Sequence, residues 1–78
     1  MRLLLQHPPV ADEPVRFVRL SLDQDLLGGW TLTRESGQLG GRSTLRRDQF
    51  LDRAEADAAF ARLRDQQLKR GFVAAAGD

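Results

Sequence analysis

The chain has no cysteine and no tyrosine, and only one tryptophan, one histidine and one lysine among its 78 residues. Without cysteine there is no disulfide framework and no thiolate metal site. The one histidine, His7, stands before two prolines with no nucleophile or carboxylate constellation beside it. Ser21, Ser36 and Ser43 lack the neighbours that activate a hydroxyl. A non-catalytic protein is therefore expected, with no cofactor, no metal and no small-molecule substrate. Long apolar runs are also missing. Runs such as residues 3–5 and 73–76 fall far short of the roughly 20 residues of a spanning helix, so no membrane partner is expected. The first eight residues carry one positive charge and three leucines, less than the about 7–15 apolar residues of a secretory leader. A cytoplasmic location follows as the expectation.

What is present describes one small domain. A chain of this size buries only roughly 60% of the surface its unfolded form exposes, so its core is thin. Apolar residues make up 41%, and 12 basic against 11 acidic residues leave a net charge of +1. That balance argues against strong non-specific nucleic-acid binding, which goes with a basic excess. The distribution is less even. Between residues 34 and 47 four arginines (Arg34, Arg42, Arg46, Arg47) face one acid, Glu35.

Residues 2–6 read as a short strand ended by His7-Pro8-Pro9, because proline removes a donor and restricts the residue before it. Residues 15–22 alternate, with Val18, Leu20 and Leu22 on one face beside Arg16, and Phe17 on the other beside Arg19. Residues 23–29 form a loop whose Leu26 and Leu27 are expected to tuck under the sheet. Residues 30–36 are a glycine-bounded central strand with Trp30 and Leu32 on its packed face. Residues 37–41 turn the chain, and 42–50 make a charged edge strand. Residues 52–70 are a helix: Asp52 caps it, Glu55 completes a capping-box pair, and Gly71 suits the position just past its end. Ala56, Ala59, Phe60 and Leu63 form its packing face. Phe72 is expected to fold back on the core, and 73–78 to be a partly disordered tail. The fold class is α+β: about four antiparallel strands with one C-terminal helix across one face. The whole chain, 1–78, is a single domain, divided into an N-terminal strand and connection (1–14), a central sheet (15–50), a helix (52–70) and a tail (73–78).

From about Arg16 to Phe72 the chain resembles a WGR domain. Arg16-Phe17-Val18-Arg19-Leu20 is similar to that family's first well-defined strand. Leu27-Gly28-Gly29-Trp30-Thr31-Leu32-Thr33-Arg34-Glu35 is similar to its loop and central strand. Gly37, Leu39 and Gly40 match its turn, and Lys69-Arg70-Gly71-Phe72 matches its closing signature. The Trp-Gly-Arg triplet itself reads Ser36-Gly37-Gln38 here. In the poly(ADP-ribose) polymerase members this domain contacts DNA near a break, with help from the triplet's tryptophan and arginine. The resemblance thus implies the fold more than the DNA role, because serine cannot stack and glutamine cannot neutralise a phosphate. Small bacterial-type proteins made of little but this domain are the most similar members.

Two functional classes follow. The first is a module that binds DNA, weakly or within a larger assembly, through Arg34, Ser36, Gly37, Gln38, Arg42, Arg46 and Arg47. Guanidinium forks suit phosphates; the competing reading of the same arginines is a solvated edge strand. The second is a module for protein partners or self-association that has lost DNA contact, through sheet edges or the Phe17 face. Of the remaining features, Gly37, Gly40 and Gly41 read as a hairpin turn ahead of an anion nest. Asp23 and Asp25 are too few for a calcium site, and Trp30 reads as core.

Overall fold

The computed structural model describes residues 1–77. Five strands form one antiparallel sheet: β1 (Arg2–His7), β2 (Arg16–Gln24), β3 (Trp30–Gln38), β4 (Ser43–Phe50) and, beyond a helix α1 (Arg53–Lys69), β5 (Val73–Gly77). The spatial order is β4-β3-β2-β1-β5. The α+β class and the single helix agree with the sequence reading; the fifth strand does not. Residues 73–77 pair with β1 across a bulge at Leu4/Leu5, where a disordered tail was expected; residue 78, the last of that expected tail, lies outside the described residues. No periodicity in Val-Ala-Ala-Ala-Gly announces a strand. It forms because β1 otherwise presents a row of unpaired backbone groups, and because Phe72, buried in the core, anchors the chain beside that edge.

The ladder register sorts the side chains. Val18 lies opposite Leu5 and Ser36, Leu20 opposite Leu3 and Arg34, and Leu22 opposite Leu32. These residues share one face, since paired positions point the same way and alternate positions point oppositely. On that face Leu5, Val18, Leu20, Leu22 and Leu32 are buried beneath Ala56, Ala59, Phe60 and Phe72, with Leu3, Trp30, Phe50 and Leu63 at the rim. Burying each of the buried leucine, valine and phenylalanine side chains is worth about 1.5–3 kcal/mol. Among the described residues no helix covers the other sheet face. Phe17 stands there and is nevertheless buried, with the Arg19 guanidinium 5.7 Å from its ring centre.

α1 crosses β2, β3 and β4. It starts at Asp52, whose carboxylate accepts a hydrogen bond from the Ala54 N–H at 3.0 Å, as the sequence predicted. Glu55 sits in the first turn, where a negative charge complements the helix dipole. The far end closes through the Arg70, Gly71 and Phe72 N–H groups, which donate to carbonyls of residues 66–68. Gly71 takes φ +95°, a left-handed conformation that costs glycine little.

Two loop expectations change. Leu26 and Leu27 are fully exposed. The Asp25 carboxylate accepts from the Leu27 and Gly29 N–H groups at 2.8 and 2.9 Å. The Asp25 N–H donates to the Gly29 carbonyl. A reversal pinned over so few residues leaves no chain to fold the leucines back. Trp30, expected in the core, is half-buried at its rim, under the Arg53 guanidinium at 4.8 Å.

Candidate nucleic-acid interface

The β3–β4 hairpin holds the arginine-rich stretch. β3 continues two residues past its expected end, so Gly37 and Gln38 belong to the strand, and the reversal occupies residues 39–42. The Gly41 N–H donates to the Gln38 carbonyl at 2.9 Å to close it. The glycine of Ser36-Gly37-Gln38 has a structural reason. A Cβ on Gly37 would lie 2.2 Å from the Arg42 carbonyl oxygen and 2.7 Å from the Ser43 Cα, a separation no packed pair of atoms tolerates. Only a hydrogen at that position lets the returning chain pass.

Pairing splits the four arginines. Arg34 lies directly opposite Arg46, and both share the helix-side face. Arg47 pairs with Thr33 and stands on the open face, while Arg42 lies in the turn. Ser36 faces Thr44 on the helix side, their hydroxyls 3.3 Å apart. Gln38 is exposed at the strand end. The stretch's one acid is engaged elsewhere. On the open face Glu35 accepts from Arg19 at 2.8 Å and from the Ser43 hydroxyl at 2.9 Å. It therefore does nothing for the Arg34–Arg46 pair. Arg46 has only a long contact to Asp48, 3.9 Å between exposed side chains, and exposed pairs of this kind contribute little. Among the described residues Arg34, Arg42 and Arg47 have no carboxylate partner.

The helix-side face also holds residues the sequence reading did not select. Beyond the apolar core, the last turn of α1 stands over a cleft of about 430 Å³. Arg16, Arg34 and Arg70 line it together with Ser36, Gln38 and Gln67, and Phe72 forms an apolar wall. No acidic residue lines it among the described residues. Arg16 lies over the Phe72 ring at 5.7 Å. Gln67 is 6% exposed, and its side chain has no hydrogen-bond partner among the described residues. One sequence signal pointed here: Gln67 continues the helical stripe of Ala56, Phe60 and Leu63, a polar residue on the face that should bury apolar ones.

Asp25 serves its loop, as described above, and Asp23 is exposed at the end of β2. Among the described residues no group of three or more His, Asp or Glu side chains is placed to hold a metal ion. The His7 ring nitrogen Nδ1 donates to the Pro8 carbonyl at 2.9 Å, and the ring meets Phe72 edge-on at 5.2 Å. No helix of the described residues is long and apolar enough to cross a membrane. No protein-family model, curated protein or solved structure matches the chain.

Proposed function

We propose that the chain is a non-catalytic, WGR-like module that binds DNA along the β3–β4 edge. The observation that carries this reading is the register pair Arg34–Arg46. Like charges directly opposite on a ladder destabilise it, and Asp48 on the same face meets Arg46 only across 3.9 Å between exposed side chains, which offsets little of the repulsion. A polyanion supplies the missing charge. Arg42 in the turn and Arg47 on the other face of β4 extend the basic edge to both sides, so a phosphate backbone following the edge meets guanidinium groups in succession. Ser36 and Gln38 add hydrogen-bonding groups beside it, in place of the stacking and charge of the tryptophan and arginine they replace.

Fluorescence anisotropy with intact and nicked duplex DNA, at low and near-physiological salt, tests this. Four phosphate contacts give a log–log salt slope of about −3.6, since each contributes about −0.9. Arg46→Glu with Arg47→Glu should abolish roughly half of that slope. Unchanged binding in this variant would remove the edge as the DNA surface.

A second reading, a protein-interaction module, has its own observation. Leu26, Leu27 and Leu51 are each at least 95% exposed. They flank the Trp30–Phe50 pair at the end of the sheet away from the Gly37–Ser43 pair. Leu26→Asp with Leu27→Asp should then abolish any concentration-dependent association seen by light scattering, while DNA binding stays the same.

A further inference from the structure

We infer that the cleft under the last turn of α1 is a binding site for a dianionic phosphate monoester. This does not rest on the DNA reading, which uses the β4 edge; the two share Arg34, Ser36 and Gln38 but differ in Arg16, Arg70 and Gln67.

Charge comes first. Three guanidinium groups line one recess with no carboxylate among the lining residues. Arg16 and Arg70 have no carboxylate partner among the described residues, and neither does Arg34. The helix end opposes an anion with roughly half a unit of negative charge. Its last carbonyls, however, already accept from the Arg70, Gly71 and Phe72 N–H groups. Three full positive charges outweigh what is left.

Hydrogen bonding comes second. Gln67 is 6% exposed, yet its amide still reaches the cleft, since Asp57 Oδ1 is the one enclosed side-chain atom without a partner among the described residues. With no partner in the protein, that amide is available to a ligand or to water at the cleft wall. The Ser36 hydroxyl and the Gln38 amide add donors on the sheet side. Forked guanidinium groups and neutral donors arriving from β2, β3 and α1 suit the oxygens of a tetrahedral group, which point in several directions.

Charge matching then selects the ligand. A carboxylate or an internal phosphodiester brings one negative charge and leaves two of the three arginines uncompensated. A phosphate monoester brings close to two. The cleft volume lies within the range of small-molecule sites, and the Phe72 wall offers an apolar surface to whatever the phosphate is attached to. Stacking of Arg16 on Phe72 holds that guanidinium in place before the ligand arrives, which lowers the ordering cost of binding.

The test uses the full chain and follows backbone amide resonances in NMR titrations with inorganic phosphate, adenosine monophosphate and adenosine. A short oligonucleotide with and without a terminal phosphate completes the set. Phosphate and the monophosphate should shift resonances of residues lining the cleft, and adenosine should not. Arg16→Gln and Arg70→Gln are exposed substitutions; each should weaken the monophosphate by about tenfold or more while leaving the amide spectrum folded. If the phosphorylated oligonucleotide is the tighter ligand, the phosphate comes from a nucleic-acid end; if the mononucleotide matches it, the source is a free small molecule. Either result supports the site. Absence of cleft shifts with every phosphorylated probe would overturn it, as would affinity unchanged in the Arg16→Gln, Arg70→Gln double variant. Arg46→Glu with Arg47→Glu leaves the cleft intact, so loss of duplex binding there and loss of monophosphate binding here are separate outcomes.

Discussion

The same helix crosses the same face of one sheet, yet the two ends of that contact differ in kind. At the end where α1 begins, Leu22, Leu32, Trp30 and Phe50 meet Ala56, Ala59 and Phe60, and the layers close. Where α1 ends, the corresponding ladder positions are Arg16, Arg34, Ser36 and Gln38, the helix offers Gln67 and Arg70, and the layers part into a cleft. Backbone geometry is shared; side-chain chemistry decides which end seals. Apolar groups gain by leaving water, whereas guanidinium groups lose solvation that only a counter-ion restores. One end supplies stability, and the other holds unneutralised charge in place for a ligand.

Four substitutions break or sharpen this contrast, each read by urea unfolding with Trp30 fluorescence, or circular dichroism, as the signal. Leu32→Ala at the closed end should have the largest effect. Leu32 is 1% exposed, and buried leucine truncations cost about 2–5 kcal/mol, a large share of the roughly 5–15 kcal/mol that holds a domain folded. A loss under 1 kcal/mol would mean that the closed end is not the stabilising one. Gly37→Ala comes next, at about 1–3 kcal/mol, because the new methyl group would overlap the Arg42 carbonyl and force the hairpin apart. Wild-type stability there would show that the turn gives way at no cost. Gln67→Leu should move the other way and raise stability by about 1 kcal/mol, since it puts apolar atoms at a position only 6% exposed. The same variant should lose the monophosphate. A destabilised variant would instead mean that Gln67 is satisfied in solution. Smallest is Arg46→Thr, expected to gain about 0.2–1 kcal/mol by relieving the cross-strand repulsion with Arg34. The gain should shrink at high salt, which screens exposed charges; a salt-independent change would point to strand propensity.

Much of the fold was legible along the chain. The helix limits were, because Asp52 and Gly71 act on their immediate neighbours. The face assignments of Val18, Leu20, Leu22 and Leu32 were, because alternation is a property of a single strand. The behaviour of Leu26 and Leu27 was hidden, since only the Asp25 hydrogen bonds show how tightly that loop is pinned. The candidate interface was half legible. The arginine stretch stood out by composition, but treating its members as one cluster overlooked the pleat, which sends Arg47 to the face opposite Arg34 and Arg46. Arg16 and Arg70 are 54 positions apart in the chain, and nothing in either neighbourhood announces the other.

Local chemistry therefore settled the number of helices, their caps and which side chains of each strand share a face, since those depend on neighbours a few residues away. The fold as a whole decided the rest. Residues 73–77 became a strand because β1 had an edge to pair with. Gly37 became indispensable to the hairpin because Arg42 returns over it. Three arginines and a buried glutamine became one site because the helix ends above the sheet positions that carry no apolar side chain. Each of these outcomes belongs to groups distant in sequence, and their contact energies exist only after the chain has closed upon itself.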